Sequence, residues 1–280
     1  MDANRRKLEA VFLDLDGSLL NSRRQVGERD RRTIARLQQA GVRVYIATGR
    51  HYELSARHHR ELGLTGPMLA SDGAVLYHPV QRRVLYRHPI PPAVSRAAIQ
   101  AAVAAGEEFY FHDTAAAYFS PNFGRIQVWR DYAAGCGPED LRPALGQLPP
   151  GYLAGEPEVM TFMAHRPSPA FVETLKRLCG ETVPLYLSRD GMVAIATAPG
   201  WDKGRGAAFL AEQEGFSLEN ALALGDTGND LPLLRAAGWP VVPENGSPEA
   251  KALARMVTAD NDHEPLSAAV ETLFGDTYSP

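Results

Sequence analysis

The 280-residue sequence has few of the features that mark disulfide-rich, metal-thiolate or membrane proteins. It contains only two cysteines, Cys136 and Cys179, and no CxxC pair, so neither a zinc ribbon nor a redox motif is predicted. The opening residues, MDANRRKLEA, are polar and lack the apolar stretch of a signal peptide. No apolar run approaches the ~20 residues that a helix needs to cross a bilayer. We therefore expect a cytoplasmic protein with reduced thiols.

The net charge is also small. At −4 it gives no reason to expect nucleic acid or an anionic membrane surface as a partner. The 45% hydrophobic and 22% charged content is that of an ordinary soluble globular protein, and 280 residues fit one large domain or two modest ones. An anionic ligand would therefore need local positive charge.

Short apolar runs alternate with helical periodicity near both ends of the chain. Strands are predicted at 10–16, 42–48, 221–226 and 239–243, and helices at 28–40, 51–62, 202–215 and 229–238. This alternation predicts an α/β fold with a Rossmann-like parallel sheet and right-handed crossovers.

The middle third has a different pattern. Several candidate strands, two helices near 91–105 and 168–179, and proline-rich joints predict an inserted α+β domain. We therefore predict a discontinuous core domain, 1–82 and 192–280, and an inserted domain, 83–191.

Three predicted strands end in polar residues. The first ends in Asp14 and Asp16, the second in Thr48 and Gly49, and the third in a segment that contains Asp226, Asn229 and Asp230. Ligands of open parallel sheets bind beyond the carboxyl ends of the strands, so these side chains are expected at one edge. Clustered carboxylates with no nearby Cys or His predict an oxygen-rich site for a hard cation, with Mg²⁺ preferred over Ca²⁺.

Lys203 lies at a predicted helix start, where it adds positive charge beside backbone amides that favour anions. Together with a metal ion, the Thr48 hydroxyl and the Gly49 backbone, it predicts a phosphoryl-transfer site. A carboxylate can be the nucleophile in such a reaction, and Asp14 fits that role. Asp16 could then protonate the leaving oxygen and later activate water.

The segments DLDGSLLNS, IATGR, DKGRGAAFL and LALGDTGNDLPLL occur in this order. In order and spacing the chain resembles the haloacid dehalogenase-like superfamily, specifically its Cof-type phosphatases with a large α/β cap. The resemblance implies Asp14 as nucleophile and Asp16 as acid and base. It also implies Thr48, Gly49, Lys203 and Asn229 as phosphate-binding residues. The implied Mg²⁺ ligands are Asp14, the Asp16 carbonyl oxygen and Asp226, with Asp230 in support.

The chain departs from that family pattern at several positions. Ser18 replaces the usual Thr, and Asp72 stands where relatives mostly have Asn. Asn245 occupies the slot of a family asparagine within an altered turn, ENGSPEA. An acid at Asp72 would add negative charge near a phosphate and favour a hydroxyl or amine on the substrate.

Substrate contacts are harder to predict than the core motifs. The candidates are Arg50, Asp72, His112 and Arg189, with Asp113 and Arg125 as further residues of the insert; the alternative for the insert residues is an ordinary surface position. His58 and His59 are adjacent and splay apart on a helix, so we expect a solvated face there and no metal site.

The sequence therefore predicts a Mg²⁺-dependent phosphatase that acts through an aspartyl-phosphate. The family resemblance implies small phosphorylated metabolites, sugar phosphates first, as its substrates. No nucleic-acid or membrane partner is expected. One alternative is a phosphosugar mutase of the same chemistry, which would return the phosphoryl group to its substrate. The other is a non-catalytic phosphometabolite sensor, although a pure binder has no need of paired acids.

Overall fold

A five-stranded sheet forms the centre of the first structural unit in the computed structural model, which describes residues 7–188 and 191–278. All of its strand pairs are parallel, as predicted, and β1 lies in the middle. In spatial order the strands are β14 (Met256–Thr258), β13 (Trp239–Pro243), β12 (Ala221–Leu224), β1 (Ala10–Leu13) and β2 (Arg43–Ile46).

Helices cover both faces of this sheet because its central strand is apolar on both sides. In β1, Val11 and Leu13 pack into one hydrophobic cluster, and Ala10 and Phe12 pack into the other. The first face is covered by α1 (Glu28–Gln39) and α9 (Pro265–Phe274). The second is covered by α6 (Lys203–Glu214) and α7 (Leu231–Ala236), with α8 (Pro248–Lys251) beside them.

A small antiparallel sheet extends the core beyond β2. Its strands are β3 (Met68–Ala70), β4 (Val75–His78) and β5 (Arg83–Arg87). A parallel bridge between Ala47 and Leu69 joins it to the chain that leaves β2. This junction places the turn between β3 and β4 beside the carboxyl ends of the parallel strands.

The insert is built on a six-stranded, mainly antiparallel sheet, as its strand-rich pattern predicted. In spatial order the strands are β10 (Leu185–Leu187), β11 (Val193–Thr197), β9 (Thr161–His165), β6 (Glu108–His112), β7 (Ala117–Phe119) and β8 (Leu145–Gly146). The predicted helices are present as α3 (Pro92–Ala105) and α5 (Pro169–Cys179), which pack on one face of this sheet.

Two further helices position the insert against the core: α2 (Ala56–Glu61) and α4 (Ile126–Ala134), of which α4 was not predicted. The Arg57 backbone N–H of α2 donates to the Tyr132 hydroxyl of α4 at 3.0 Å. This contact joins residues 75 positions apart, so the local pattern could not predict that α4 packs against the core. Among the residues described, no helix is long and apolar enough to cross a bilayer.

At both junctions between core and insert, strand pairing assigns one strand to the other side of the predicted domain boundary. Arg83–Arg87 pairs with β4 and so belongs to the core side, although it falls inside the predicted insert. Val193–Thr197 pairs with β9 and so belongs to the insert, although it falls inside the predicted core. In sequence both segments are typical of ordinary β-strands, and only their pairing partners show which domain each belongs to.

The expectation of a solvated face at His58 and His59 is wrong. Both side chains are buried, at 2% and 1% exposure. His59 Nε2 lies 2.7 Å from the Gly66 carbonyl oxygen, and the His58 ring packs beside Tyr132. Burial lowers the pKa of each imidazole, to about 3 for His58 and about 4 for His59, so both are neutral packing residues.

Candidate active site

Three of the predicted site segments meet at the carboxyl edge of the parallel sheet. The Asp14 backbone N–H, just after β1, donates to the Leu224 carbonyl at 2.9 Å. The Thr48 N–H donates to the Leu69 carbonyl at 2.9 Å, and Asp226 follows the end of β12. All three site side chains are buried, so they are held in place by the sheet.

Lys203, the first residue of α6, lies between two carboxylates. Its Nζ donates to Asp14 Oδ1 and to Asp230 Oδ1, each at 2.6 Å. Burial alone would lower the pKa of this ammonium, but Asp14 and Asp230 raise it above its ordinary value. Lys203 is therefore a fixed positive charge beside Asp14.

Asp14, Asp226 and Asp230 form a buried group that we call the acidic cluster. One carboxylate oxygen from each lies within 4.8 Å of the others. Burial, reinforced by Asp230, raises the pKa of Asp226 to about 7, and burial also raises the pKa of Asp14 well above its usual value. One lysine cannot neutralise three carboxylates, and oxygen-only donors suit a hard divalent cation. The acidic cluster therefore fits a metal site.

Within the acidic cluster, Asp230 has a supporting role. Its Oδ2 accepts the backbone N–H groups of Asp226 at 3.0 Å and Thr227 at 3.1 Å. Its Oδ1 accepts from Lys203, so both oxygens already have protein donors. Asp230 thus orients Lys203 and fixes the backbone turn that presents Asp226.

The turn after Asp16 lies against the same cluster. Gly17 has a positive φ of 78°, and a Cβ there would lie 2.3 Å from Asp226 Oδ2, so only glycine fits. The Ser18 hydroxyl donates to Asp226 Oδ1 at 3.4 Å, so the serine supplies the hydroxyl at this family position. Asn245 Nδ2 donates to the Gly17 carbonyl at 2.8 Å, which ties the altered turn to the site.

Asp16 is held by Arg50. The guanidinium Nε and Nη2 donate to the two Asp16 carboxylate oxygens, each at 2.5 Å. Removal from water would raise the pKa of Asp16, but the charge and hydrogen bonds of Arg50 outweigh this effect and lower it. Arg50 is itself buried, and its guanidinium lies 5.3 Å from the centre of the Trp129 ring. In this arrangement Asp16 is an anion, and it can take up a proton only if the ion pair loosens.

Asp72 lies against Thr48, Gly49 and Asn229. Asn229 Nδ2 donates to Asp72 Oδ1 at 2.8 Å, and a Cβ on Gly49 would lie 2.9 Å from the same oxygen. The absence of a side chain at Gly49 thus allows Asp72 to approach the backbone. Burial raises the pKa of Asp72, while the positive charge of Lys203 opposes that shift.

An unusual backbone segment presents Asp72. Ser71, Asp72 and Gly73 all have positive φ values, 52°, 54° and 86°, and the first two are not glycine. Hydrogen bonds hold this strained turn: Ser71 N–H donates to the Arg50 carbonyl at 2.9 Å, and Asp72 N–H donates to the Thr48 carbonyl at 3.1 Å. Ser71 Oγ also lies 2.8 Å from His112 Nε2 of the insert.

A cavity of about 420 Å³ lies between the core and the insert and includes most of the predicted core residues. Those lining it are Asp14, Asp16, Thr48, Gly49, Arg50, Asp72 and Asn229. Lys203, Asp226 and Asp230 lie behind this lining. Arg125 is on the wall, whereas His112 is fully buried against Ser71 and Asp113 accepts from the Tyr152 hydroxyl at 2.8 Å. Arg189 lies outside the described residues.

The insert side of the cavity contains residues that were not predicted. Its aromatic members are Tyr110, Phe123, Trp129 and Tyr186. No local signal in the sequence separates these rings from core aromatics. A Cβ on Gly228 would lie 2.3 Å from the Tyr186 ring, so this glycine lets the insert pack closely against the turn that follows β12.

Comparison with known proteins gives a consistent family match. The family model for haloacid dehalogenase-like hydrolases matches residues 11–140 and 157–270. The fold resembles a haloacid dehalogenase-like hydrolase from Bacteroides thetaiotaomicron, with a TM-score of 0.79 and 22% identity over 96% of this chain and 100% of that one.

Two curated bacterial relatives span nearly the whole chain. Pyridoxal phosphate phosphatase YbhA of Escherichia coli is 29% identical over 268 residues, which are 92% of this chain and 95% of the relative. The 5-amino-6-(5-phospho-D-ribitylamino)uracil phosphatase YitU of Bacillus subtilis is 26% identical over 282 residues, covering 94% and 97%. Both therefore match the core and the insert together.

Proposed function

The chain belongs to the haloacid dehalogenase-like hydrolases, and from this we propose that it hydrolyses small phosphorylated metabolites through an aspartyl-phosphate intermediate. The observation that carries the proposal is the position of Asp14. Its carboxylate lines the cavity, contacts Lys203 at 2.6 Å and belongs to the acidic cluster. The names of the two curated relatives, both phosphatases, support the same reaction.

Asp14 is the best-placed nucleophile. Asp16 has both oxygens engaged by Arg50, and Asp230 has both engaged by Lys203 and backbone amides. An Asp14 oxygen attacks phosphorus, the P–O bond to the substrate breaks, and the ester oxygen leaves with a proton. Water then attacks the aspartyl-phosphate, which releases inorganic phosphate and restores the carboxylate.

Asp16 is proposed as the residue that moves protons in both steps. It gives one to the leaving oxygen and takes one from the attacking water. Since Arg50 holds it as an anion in this structure, the role requires substrate binding to weaken that ion pair. A substrate that binds Arg50 would therefore control when Asp16 can take up a proton.

Several neighbours are suited to hold the phosphoryl group. Thr48, Gly49 and Asn229 line the cavity together with Asp14, and the Lys203 ammonium contacts Asp14 from behind the lining. Preorganised donors of this kind stabilise negative charge that develops in the transition state. Lys203 is the most constrained of them because it is buried and held at two points.

A magnesium ion is proposed at the acidic cluster. Asp14, the Asp16 carbonyl oxygen and Asp226 would hold it, with Asp230 in support. The fit rests on buried oxygen donors whose mutual repulsion Lys203 alone does not offset. When bound, Mg²⁺ would supply charge neutralisation at the phosphoryl oxygens.

A phosphate-release assay tests the reaction. The panel contains sugar phosphates, which the family resemblance favours, and the phosphorylated compounds named for the relatives, each with Mg²⁺ and with EDTA. We expect Mg²⁺-dependent release of inorganic phosphate, and we expect Asp14→Asn to abolish it while the far-UV circular dichroism and melting curve stay those of a folded protein. Asp262→Asn, an exposed acid far along the chain, is the matched control.

Two other outcomes would favour the alternatives. An isomerised phosphate ester in place of free phosphate would indicate a mutase. Ligand binding with no turnover of any compound would indicate a sensor. Normal phosphate release by Asp14→Asn would contradict the assignment of the nucleophile.

A further inference from the structure

The substrate cavity is lined by arginines as well as by the carboxylates of Asp14, Asp16 and Asp72. Arg24, Arg50 and Arg125 all line it, in a chain whose net charge is −4. Arg50 is neutralised by Asp16. Within 7–188 and 191–278, neither Arg24 nor Arg125 forms a salt bridge.

Arg24 is held by a tight turn of the core. Its φ is +59°, a left-handed conformation that is costly for a residue other than glycine. The Arg24 N–H donates to the Asn21 carbonyl at 2.8 Å. The Asn21 side chain accepts the N–H groups of Arg23 and Gln25, each at 3.0 Å. The turn is thus fixed by its own hydrogen bonds, in a conformation that places Arg24 at the cavity.

Arg125 approaches the same cavity from the insert. It immediately precedes α4, and Val128 and Trp129 of that helix also line the cavity. The contact between Trp129 and Arg50 holds α4 against the core. Partial removal from water, together with the positive charges of Arg50 and Arg125, lowers the pKa of Arg24, although Asp16 opposes this. Like charges from two domains therefore lie close together.

Further arginines lie beyond the cavity. An adjoining cleft of about 240 Å³ shares Arg24, Arg50 and Trp129 with it and adds Arg23, Asp131 and Arg57, of which Arg57 pairs with Glu61. The charges of Arg24 and Arg125 repel each other, and an anion between them would relieve that repulsion. At the catalytic end Arg50 and Lys203 are paired with carboxylates, which leaves Arg24 and Arg125 as the arginines of the cavity lining without a salt bridge among the described residues.

We propose that Arg24 and Arg125 form an anion subsite that binds a second acidic group of the substrate, in addition to the phosphoryl group that Asp14 attacks. The inference rests on the proposed function and narrows its substrates to phosphomonoesters that carry a further carboxylate or phosphate. Guanidinium groups suit both, because their planar N–H forks donate two parallel hydrogen bonds to either anion.

Matched pairs of compounds test the subsite and separate its two ligand chemistries. Fructose 1,6-bisphosphate against fructose 6-phosphate tests a second phosphate. 3-Phosphoglycerate against glycerol 3-phosphate tests a carboxylate. In at least one pair we expect the wild-type protein to prefer the diacid, through KM more than kcat, and the preference to weaken as ionic strength rises.

The double variant Arg24→Gln/Arg125→Gln should remove that preference. Losing charge-assisted hydrogen bonds predicts a fall of about 10- to 100-fold in kcat/KM for the preferred diacid. The monoacid of the same pair should change by less than about 3-fold. Arg130→Gln is the control, since Arg130 is an exposed arginine of the same helix that is not part of the cavity lining.

Equal losses for both members of each pair, or no diacid preference in either pair, would overturn the subsite. Calorimetric binding of the same compounds to Asp14→Asn in Mg²⁺ separates this result from failure of the proposed reaction. A diacid preference in binding that Arg24→Gln/Arg125→Gln abolishes supports the subsite even if no compound is hydrolysed. Turnover of the panel with no such preference supports the reaction and rejects the subsite.

Discussion

Replacing Lys203 by methionine would leave the acidic cluster without its fixed positive charge. Nζ lies 2.6 Å from oxygens of Asp14 and Asp230, so each contact is worth about 6 kcal/mol of Coulomb energy at an effective dielectric of about 20. The desolvation of these groups offsets much of that energy. Loss of one partner from a buried ion pair costs about 3–5 kcal/mol, and we expect a fall of this size in the free energy of unfolding in EDTA.

Urea unfolding followed by circular dichroism measures this effect, with Mg²⁺ and with EDTA. Mg²⁺ should restore part of the variant's stability, and by more than it stabilises the wild type, because no ammonium competes with it for the carboxylates. Lys176→Met is the control: Lys176 forms an exposed pair with Glu173, and its loss should have little effect. A loss under about 1 kcal/mol, or equal effects of Mg²⁺ on both proteins, would refute this account of the cluster.

Two further predictions concern other buried or paired acids. Asp16→Asn should slow turnover by about 10²- to 10⁴-fold without unfolding the protein, and acid quenching followed by mass spectrometry should trap a phosphorylated enzyme; an unchanged rate would contradict the role of Asp16. Asp30 is buried, and its Oδ2 has no hydrogen-bond partner. Burial raises the pKa of its carboxyl to about 6, above the unfolded value of about 3.9. Ionisation of Asp30 therefore lowers the free energy of unfolding increasingly as pH rises from about 4 to 6. Asp30→Asn keeps an acceptor for Ser267. Between pH 4 and pH 8 its free energy of unfolding, measured in urea, should rise by up to about 3 kcal/mol relative to that of the wild type. Parallel pH profiles for the two proteins would contradict this prediction.

The sequence was sufficient for the parallel sheet and the central site segments. An apolar strand followed by an amphipathic helix is a local pattern, and its repetition restricts the topology to a few arrangements. Because parallel strands end at one edge, the polar residues after them had to meet there. Asp14, Thr48 and Asp226 could therefore be placed together without knowledge of any contact.

The partners of these residues required the tertiary structure. Arg50 lies 34 positions from the Asp16 that it binds, and nothing in either segment specifies a paired geometry. The strained conformation of Asp72 is likewise set by hydrogen bonds to residues of neighbouring segments. Such contacts depend on side-chain positions fixed only when the chain has folded.

The insert shows most clearly which features follow from the sequence and which depend on the tertiary structure. Its sequence pattern specified its class and its two long helices, since apolar periodicity is a property of each segment alone. Which strands joined its sheet, and which residues faced the cavity, depended on how it docks onto the core. Arg24 and Arg125 are separated by about one hundred residues in the printed sequence and lie on different domains. Only packing of the two domains brings their charges to one cavity, because Coulomb interactions depend on distance in space and not along the chain.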